Sequence, residues 1–246
     1  MNKVLKFVLL CALLVNVSMA EAAPDPQALL RHADQARGGA LPGIVWDIRL
    51  KSRDGEKIAE EQSLKVSAND DASVAEVIEP VRSKGTKLLQ VGRSMWLTKP
   101  GLSKPLPISP RQRMSGQASN GDIAATNYAG DYEAQVNGKE TVGDEACYVL
   151  DLKAKHNRTT YDRIRYWIAV NRGVGVKAEF YSVSGKLIKT ATFEYNNMIE
   201  YEGKRTLFVS KMTIRDAFID AETTMEFGAA KVKKIAASEF DLGQIQ

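Results

Sequence analysis

Beyond residue 43 the chain alternates apolar and polar residues with a period of two over most of its length. Ile44, Trp46, Ile48 and Leu50 alternate with Val45, Asp47, Arg49 and Lys51, which places the even residues on the buried face of a strand. Asp54-Gly55 signals a hairpin. A second strand passes through Leu64 and Val66, Asn69 to Asp71 turns the chain, and a third strand lies around Val74 to Val81. Leu89 and Val91 share one side of the next, and Met95 and Leu97 follow the turn at Gly92.

The same rhythm returns downstream. Asn137-Gly138 signals another hairpin, and Ala146, Tyr148, Leu150 and Leu152 share a face. So do Ile164, Tyr166, Ile168 and Val170, then Val174, Val176, Ala178 and Phe180 beyond the turn at Asn171 to Gly173. Ser184-Gly185 leads into Leu187, Ala191, Phe193 and Tyr195; Glu202-Gly203 leads into a strand over Leu207 to Ile214, and a last strand covers Thr223 to Phe227. The pattern predicts about ten or eleven strands joined by short turns, a mainly β antiparallel meander with a few helices. One large curved sheet or half-open barrel fits it better than the competing sandwich.

Two stretches depart from the alternation. Asp25 caps a predicted helix that opens at Pro26, carries Leu29, Leu30, Ala33 and Ala36 along one side, runs to Arg37 and ends at Gly38-Gly39. From Pro100 to Tyr132 the chain holds four of its eight prolines among glycines, serines and asparagines, which predicts a long irregular or partly helical crossing. Ordered crossings of that length are uncommon and often serve as lids.

That region carries a family signature. Gly85, Leu88, Leu89, Gly92, Met95, Trp96, Leu97 and Pro100, followed by Ile108, Arg113, Met114, Gly116 and Asp122, resemble the LolA-like family of periplasmic outer-membrane lipoprotein-sorting proteins. The resemblance implies a half-open antiparallel barrel whose apolar hollow is covered by helices, and a non-enzymatic carrier of lipoprotein acyl chains or related lipids toward the outer membrane. It also implies an inner-membrane transporter or outer-membrane acceptor as partner, and the periplasm of a Gram-negative bacterium as location. On that reading Trp46, Ile48, Leu50, Leu89, Met95, Trp96, Leu97, Tyr166, Ile168, Phe180 and Phe193 are the lipid-facing residues. Ile108, Arg111, Arg113, Met114 and Ile123 belong to the lid or meet a partner. The alternative is an accessory module that docks on an envelope transporter or protein complex without carrying lipid.

Composition and charge narrow the choices. Residues 1–22 read as a signal peptide: Lys3 and Lys6 precede an apolar run from Phe7 to Val17, and small residues supply cleavage sites after Ala20 or Ala22. The remaining 23–246 read as one domain, with no composition shift to divide it. Loss of Lys3 and Lys6 lowers the formal charge from +4 to +2, too little and too scattered for nucleic acid. Cys147 is then the one cysteine left, and its alternation with Val149 marks a packed strand residue. His32 and His156 have no partner at metal-ligand spacing, and no nucleophile elbow, P-loop or dinucleotide fingerprint occurs. The expectation is a protein with no catalytic residues, no metal and no cofactor.

Overall fold

A computed structural model describes residues 24–124 and 127–244; the expected signal peptide at residues 1–22 lies outside the described residues. Helix α1 spans Pro26–Gln35, with the Asp25 carboxylate accepting from the Gln27 amide at 3.0 Å and proline in the first turn. The first six sheet strands are β1 (Ile44–Asp54), β2 (Gln62–Ala68), β3 (Ala72–Glu79), β4 (Lys87–Val91), β5 (Ser94–Thr98) and β6 (Leu106–Ile108). A strap then crosses from β6 to β7, holding a short ribbon (Arg113–Ser115 with Ala118–Ser119), α2 (Asn120–Ala124) and α3 (Tyr128–Asp131). Next come β7 (Tyr132–Val142), β8 (Glu145–Ala154), β9 (Arg163–Ala169), β10 (Gly175–Tyr181) and β11 (Leu187–Glu194). A separate hairpin (Asn197–Tyr201 with Lys204–Phe208) precedes β12 (Lys211–Asp216) and β13 (Ala221–Phe227).

The sheet is antiparallel, and its order runs from β7 to β13 and on from β1 to β6. Every neighbour is the next strand in sequence except where β13 meets β1. The sheet curves without closing, so β6 and β7 are its two free ends. They are also consecutive in the chain, and the strap is the connection between them.

Register shows which residues face inward, because directly paired residues point to one side of a sheet. Trp46, Val66, Ala75, Leu88 and Leu97 are paired across five strands and all face the hollow. A second row runs Leu150, Tyr166, Ala178, Ala191, Ile214, Thr223 and Ser52, and Ser52 shares the inward side of β1 with Trp46. The hollow is filled by the protein's own side chains. Leu30 and Ala33 of α1, Leu41, Ala118, Ile123 and Tyr128 all join the buried cluster with Trp46, Ile48 and Tyr166. Phe208 of the separate hairpin meets Trp46 edge to face at 6.0 Å.

Four expectations are corrected. Leu89 and Trp96 face the opposite way: they are paired in the row Val45, Ser67, Val74, Leu89, Trp96 on the outer side. That side is buried too, beneath Ile235, Phe240 and Leu242 of the C-terminal segment, so alternation there carries no sign of which face is inward. Asn137-Gly138 is a bulge inside β7 rather than a turn, with Gly138 at φ +113. The strand expected over Leu207 to Ile214 breaks at Val209-Ser210, which lets Phe208 fold inward; Val209 donates to the Ala36 carbonyl at 2.8 Å. The sheet path holds thirteen strands, not ten or eleven.

Phe208 closes one end of the hollow over Trp46 without belonging to the sheet. Phe208→Ala should lower stability by about 3–5 kcal/mol, the usual cost of deleting a buried aromatic. Denaturant melts that shift by less than about 1 kcal/mol would show that the hairpin is not part of the core.

Candidate functional site

The candidate site is the mouth of the hollow, where the strap lies across it. Pairs of polar groups fasten the strap at several points. The Arg111 guanidinium donates both terminal nitrogens to the Asp162 carboxylate at 2.9 Å and its Nε to the Thr159 carbonyl at 3.0 Å. Arg113 reaches Asp216 at 3.2 Å. Gly116, at φ +52, lies against the side chains of Ser52 and Thr223 where no Cβ fits, and the Gln117 amide donates to Thr223 Oγ1 at 2.7 Å. From the sheet, the buried Lys189 Nζ donates to the Gln117 carbonyl at 2.5 Å and Ser119 Oγ at 2.8 Å. Burial pushes its pKa down, partly offset by Asp122 and Asp216.

The helical half of the strap is held in the same way. The Asp122 carboxylate accepts from the Ser119 amide at 2.8 Å and from the Tyr161 hydroxyl at 2.8 and 2.9 Å. Tyr161 in turn stacks on Phe180 at 4.0 Å. Ser73 Oγ donates to the Ala124 carbonyl at 2.7 Å. Asp34, at the end of α1, accepts from the Ala129 amide at 2.7 Å, so a carboxylate meets the first turn of α3. Arg37 sits 4.2 Å over the Tyr128 ring and 5.2 Å over Phe193, wholly within the core. Among the described residues, Asp34 Oδ1 and Arg37 Nη1 have no hydrogen-bond partner.

Beside these fastenings a groove of about 540 Å³ opens between the inner face of β3, β5 and β6 and the strap. Val77, Leu97, Ile108 and Met114 form its apolar walls, with Gln62 and Arg113 at the edge. The same four side chains pack against the main core, so the groove continues into the hollow. Its volume is within the range of small-molecule sites. A second groove of about 530 Å³ runs along the β5–β6 edge past Met95, Trp96 and Pro107, where Arg158 donates to Ser94 Oγ at 2.9 Å.

Of the lipid-facing candidates, Trp46, Ile48, Leu50, Met95, Leu97, Tyr166, Ile168, Phe180 and Phe193 are brought together on the inner side, and Leu89 and Trp96 are not. Arg111 and Arg113 spend their charge on Asp162 and Asp216 within the chain. Ile108 and Met114 line the groove, and Ile123 is buried under the strap. Sequence reasoning missed Asp34, Arg37, Tyr128, Tyr161 and Lys189. For Lys189 a signal existed: it stands at an inward position of its strand, between Leu187 and Ala191. Cys147 is buried on a strand, and burial raises its pKa. Among the described residues no group of three or more His, Cys, Asp or Glu side chains could hold a metal ion.

Burial raises the Asp34 pKa from 3.8 to about 7; Arg37 and the amides of Ala129 and Tyr128 oppose the shift, and Asp131 adds to it. The folded state therefore binds the proton more tightly than the unfolded one. Stability from this group is present below about pH 4 and is lost as pH rises through about 7. Asp34→Asn can still accept from Ala129, so it should gain stability relative to wild type between about pH 5 and pH 8. Thermal melts of both proteins across that range check this, and a constant offset would contradict it.

Similarity to other proteins agrees with this architecture. A family model whose description reads "-like: Uncharacterized protein" matches residues 69–246. No curated protein matches the sequence. Among solved structures, a LolA superfamily protein from Nitrosomonas europaea is similar at 28% identity and a TM-score of 0.80, covering 89% of this chain and 98% of that one. A DUF1329 family protein from Desulfovibrio piger superposes with a TM-score of 0.76 at 21% identity, over 91% and 100% of the two chains. A domain described as an outer membrane lipoprotein-sorting protein, from Vibrio parahaemolyticus, gives 0.75 at 16% identity over 89% and 97%. The open antiparallel sheet is thus the fold of the LolA superfamily, and the chain belongs to the family whose model matches its residues 69–246.

Proposed function

We propose that the protein is a non-enzymatic carrier that shields an acyl chain, from a lipoprotein or a related lipid, in transit through the bacterial envelope. The observation that carries this reading is the strap. It covers an apolar inner face and leaves an apolar groove beside it, and its fastenings are hydrogen bonds and ion pairs that water can replace. An acyl chain exposed to water costs about 0.8 kcal/mol per CH₂, so a carrier needs an apolar lining under a cover that moves. Trp46, Ile48, Leu50, Leu97, Tyr166 and Phe193 would supply part of that lining once the strap lifts, with Met95, Ile168 and Phe180 beside them. Ile108, Arg111, Arg113, Met114 and Ile123 are the moving part. A signal peptide at residues 1–22 would place the carrier in the periplasm, between a transporter that delivers the lipid and an acceptor that takes it.

The second reading, a docking module without lipid, is favoured by the filled hollow, where Phe208 and Tyr128 stand where an acyl chain would lie. One experiment separates the two. Native mass spectrometry of the protein purified gently from a periplasmic extract should show a lipid adduct on wild type. Met114→Glu, in a solvent-open groove, should stay folded and lose it. Ile48→Glu, in the packed core, should be destabilised by several kcal/mol, since a lone buried charge is expensive. A wild-type protein with no adduct would favour the docking module, and an adduct that survives Met114→Glu would place the lipid away from this groove.

A further inference from the structure

The most exposed of the large apolar side chains concentrate on one rim of the sheet, at or beside its turns. Val81 is 86% exposed, Ile58 84%, Val183 80%, Phe218 59% and Ile219 52%. They lie on four different turns: β1–β2, β3–β4, β10–β11 and β12–β13. Contacts link these turns in a row. Lys186 of the β10–β11 turn stands 4.2 Å over the Phe218 ring. The Gly55 amide donates to the Asp220 carbonyl at 2.7 Å, and Arg53 pairs with Asp220 at 2.8 Å, joining the β12–β13 and β1–β2 turns. Arg82 pairs with Glu60, joining the β1–β2 and β3–β4 turns, and Gly85 lies against Pro100 of the loop beyond.

Cations accompany the apolar tips. Lys57, Arg82, Lys84 and Lys186 are exposed on the same turns, and Lys99 and Lys104 are exposed on the β5–β6 loop. The acids there are Asp54, Glu56, Glu60 and Glu61 at the first turn, Glu79 at the second, and Asp216 and Asp220 at the last; Arg82, Arg53 and Arg113 engage Glu60, Asp220 and Asp216, and the five lysines lie among the rest.

We infer that this rim docks on an anionic lipid bilayer. A protein partner would need one continuous packed patch at the centre of its interface. Here single apolar residues project from separate turns, spaced by lysines and arginines. A fluid bilayer boundary accepts such a surface: the tips enter between head groups while the cations meet lipid phosphates. The groove mouth, at Gln62, Ser83 and Arg113, opens inside the same rim, so docking would face the groove toward the membrane. The inference stands whatever the groove carries.

Vesicle flotation tests it with the exported chain. Wild type should float with vesicles containing phosphatidylglycerol, and about tenfold less with pure phosphatidylcholine or at high salt. The double substitution Phe218→Asp with Ile219→Asp should weaken flotation at least about tenfold with an unchanged melting temperature. Val81→Asp should act in the same direction, whereas Met198→Asp, on the hairpin at the other end of β12, should leave flotation unchanged. Absence of flotation by wild type would overturn the inference, as would equal flotation of the Phe218/Ile219 variant or an equal loss with Met198→Asp. Binding confined to native membranes that contain protein, with none to lipid vesicles, would also overturn it and assign the rim to a protein partner. Lipid adducts measured on the same samples keep this outcome separate from that of the carrier reading.

Discussion

A sheet of thirteen strands with an apolar inner face cannot leave that face in water. At roughly 25 cal/mol per Å² of apolar area, exposing even a few of its aromatic side chains would cost as much as a domain's whole net stability. A closed barrel solves this with its own strands, but here the ends β6 and β7 stay apart. The cover must come from elsewhere, and the chain uses the segment that already has to travel from one end to the other. α1 and the Asn197–Phe208 hairpin fill what the strap leaves.

The strap's fastenings have a common character. Lys189 and Asp34 are charged groups drawn into the core, and burial shifts the pKa of each toward its neutral form. Each meets a backbone group of the strap: the Gln117 carbonyl for Lys189, the Ala129 amide for Asp34 Oδ2. Such bonds fix the strap in one place when closed, and a hydrogen bond to a charged group contributes about 1.5–3 kcal/mol in net terms. A cover held this way is specific in position and lifts only where new contacts replace those bonds. Aromatic contacts such as Tyr128 on Tyr166 would be exchanged for contacts with a ligand of similar apolarity.

Much of this was legible in the residues. Period-two alternation placed Trp46, Ile48, Leu50, Tyr166 and Phe193 on the inner face, and loss of that rhythm after Pro100 marked the crossing. Alternation failed where both faces are buried, as at Leu89 and Trp96, since the pattern then has no polar half. It failed again at Phe208, because a two-residue break can turn a strand over without any change in composition. Asn137-Gly138 has the same local chemistry in a bulge as in a turn, and tertiary pairing decides between them. The polar fastenings were illegible for a different reason. Asp34 meets Ala129 and Lys189 meets Gln117 across 95 and 72 positions of sequence, and no local pattern announces a contact of that span.

Hydrogen exchange at the Gln117 and Ala129 amides reads the central claim most directly, that the strap is a displaceable cover over an acyl-chain site. Both are donors in fastening bonds, to Thr223 and Asp34. With a long-chain acyl lipid added, the account predicts faster exchange at these two amides while amides of the central strands, such as Trp46 and Leu50, stay protected. Unchanged exchange at the strap with lipid bound, or loss of protection across strap and sheet together, would contradict it.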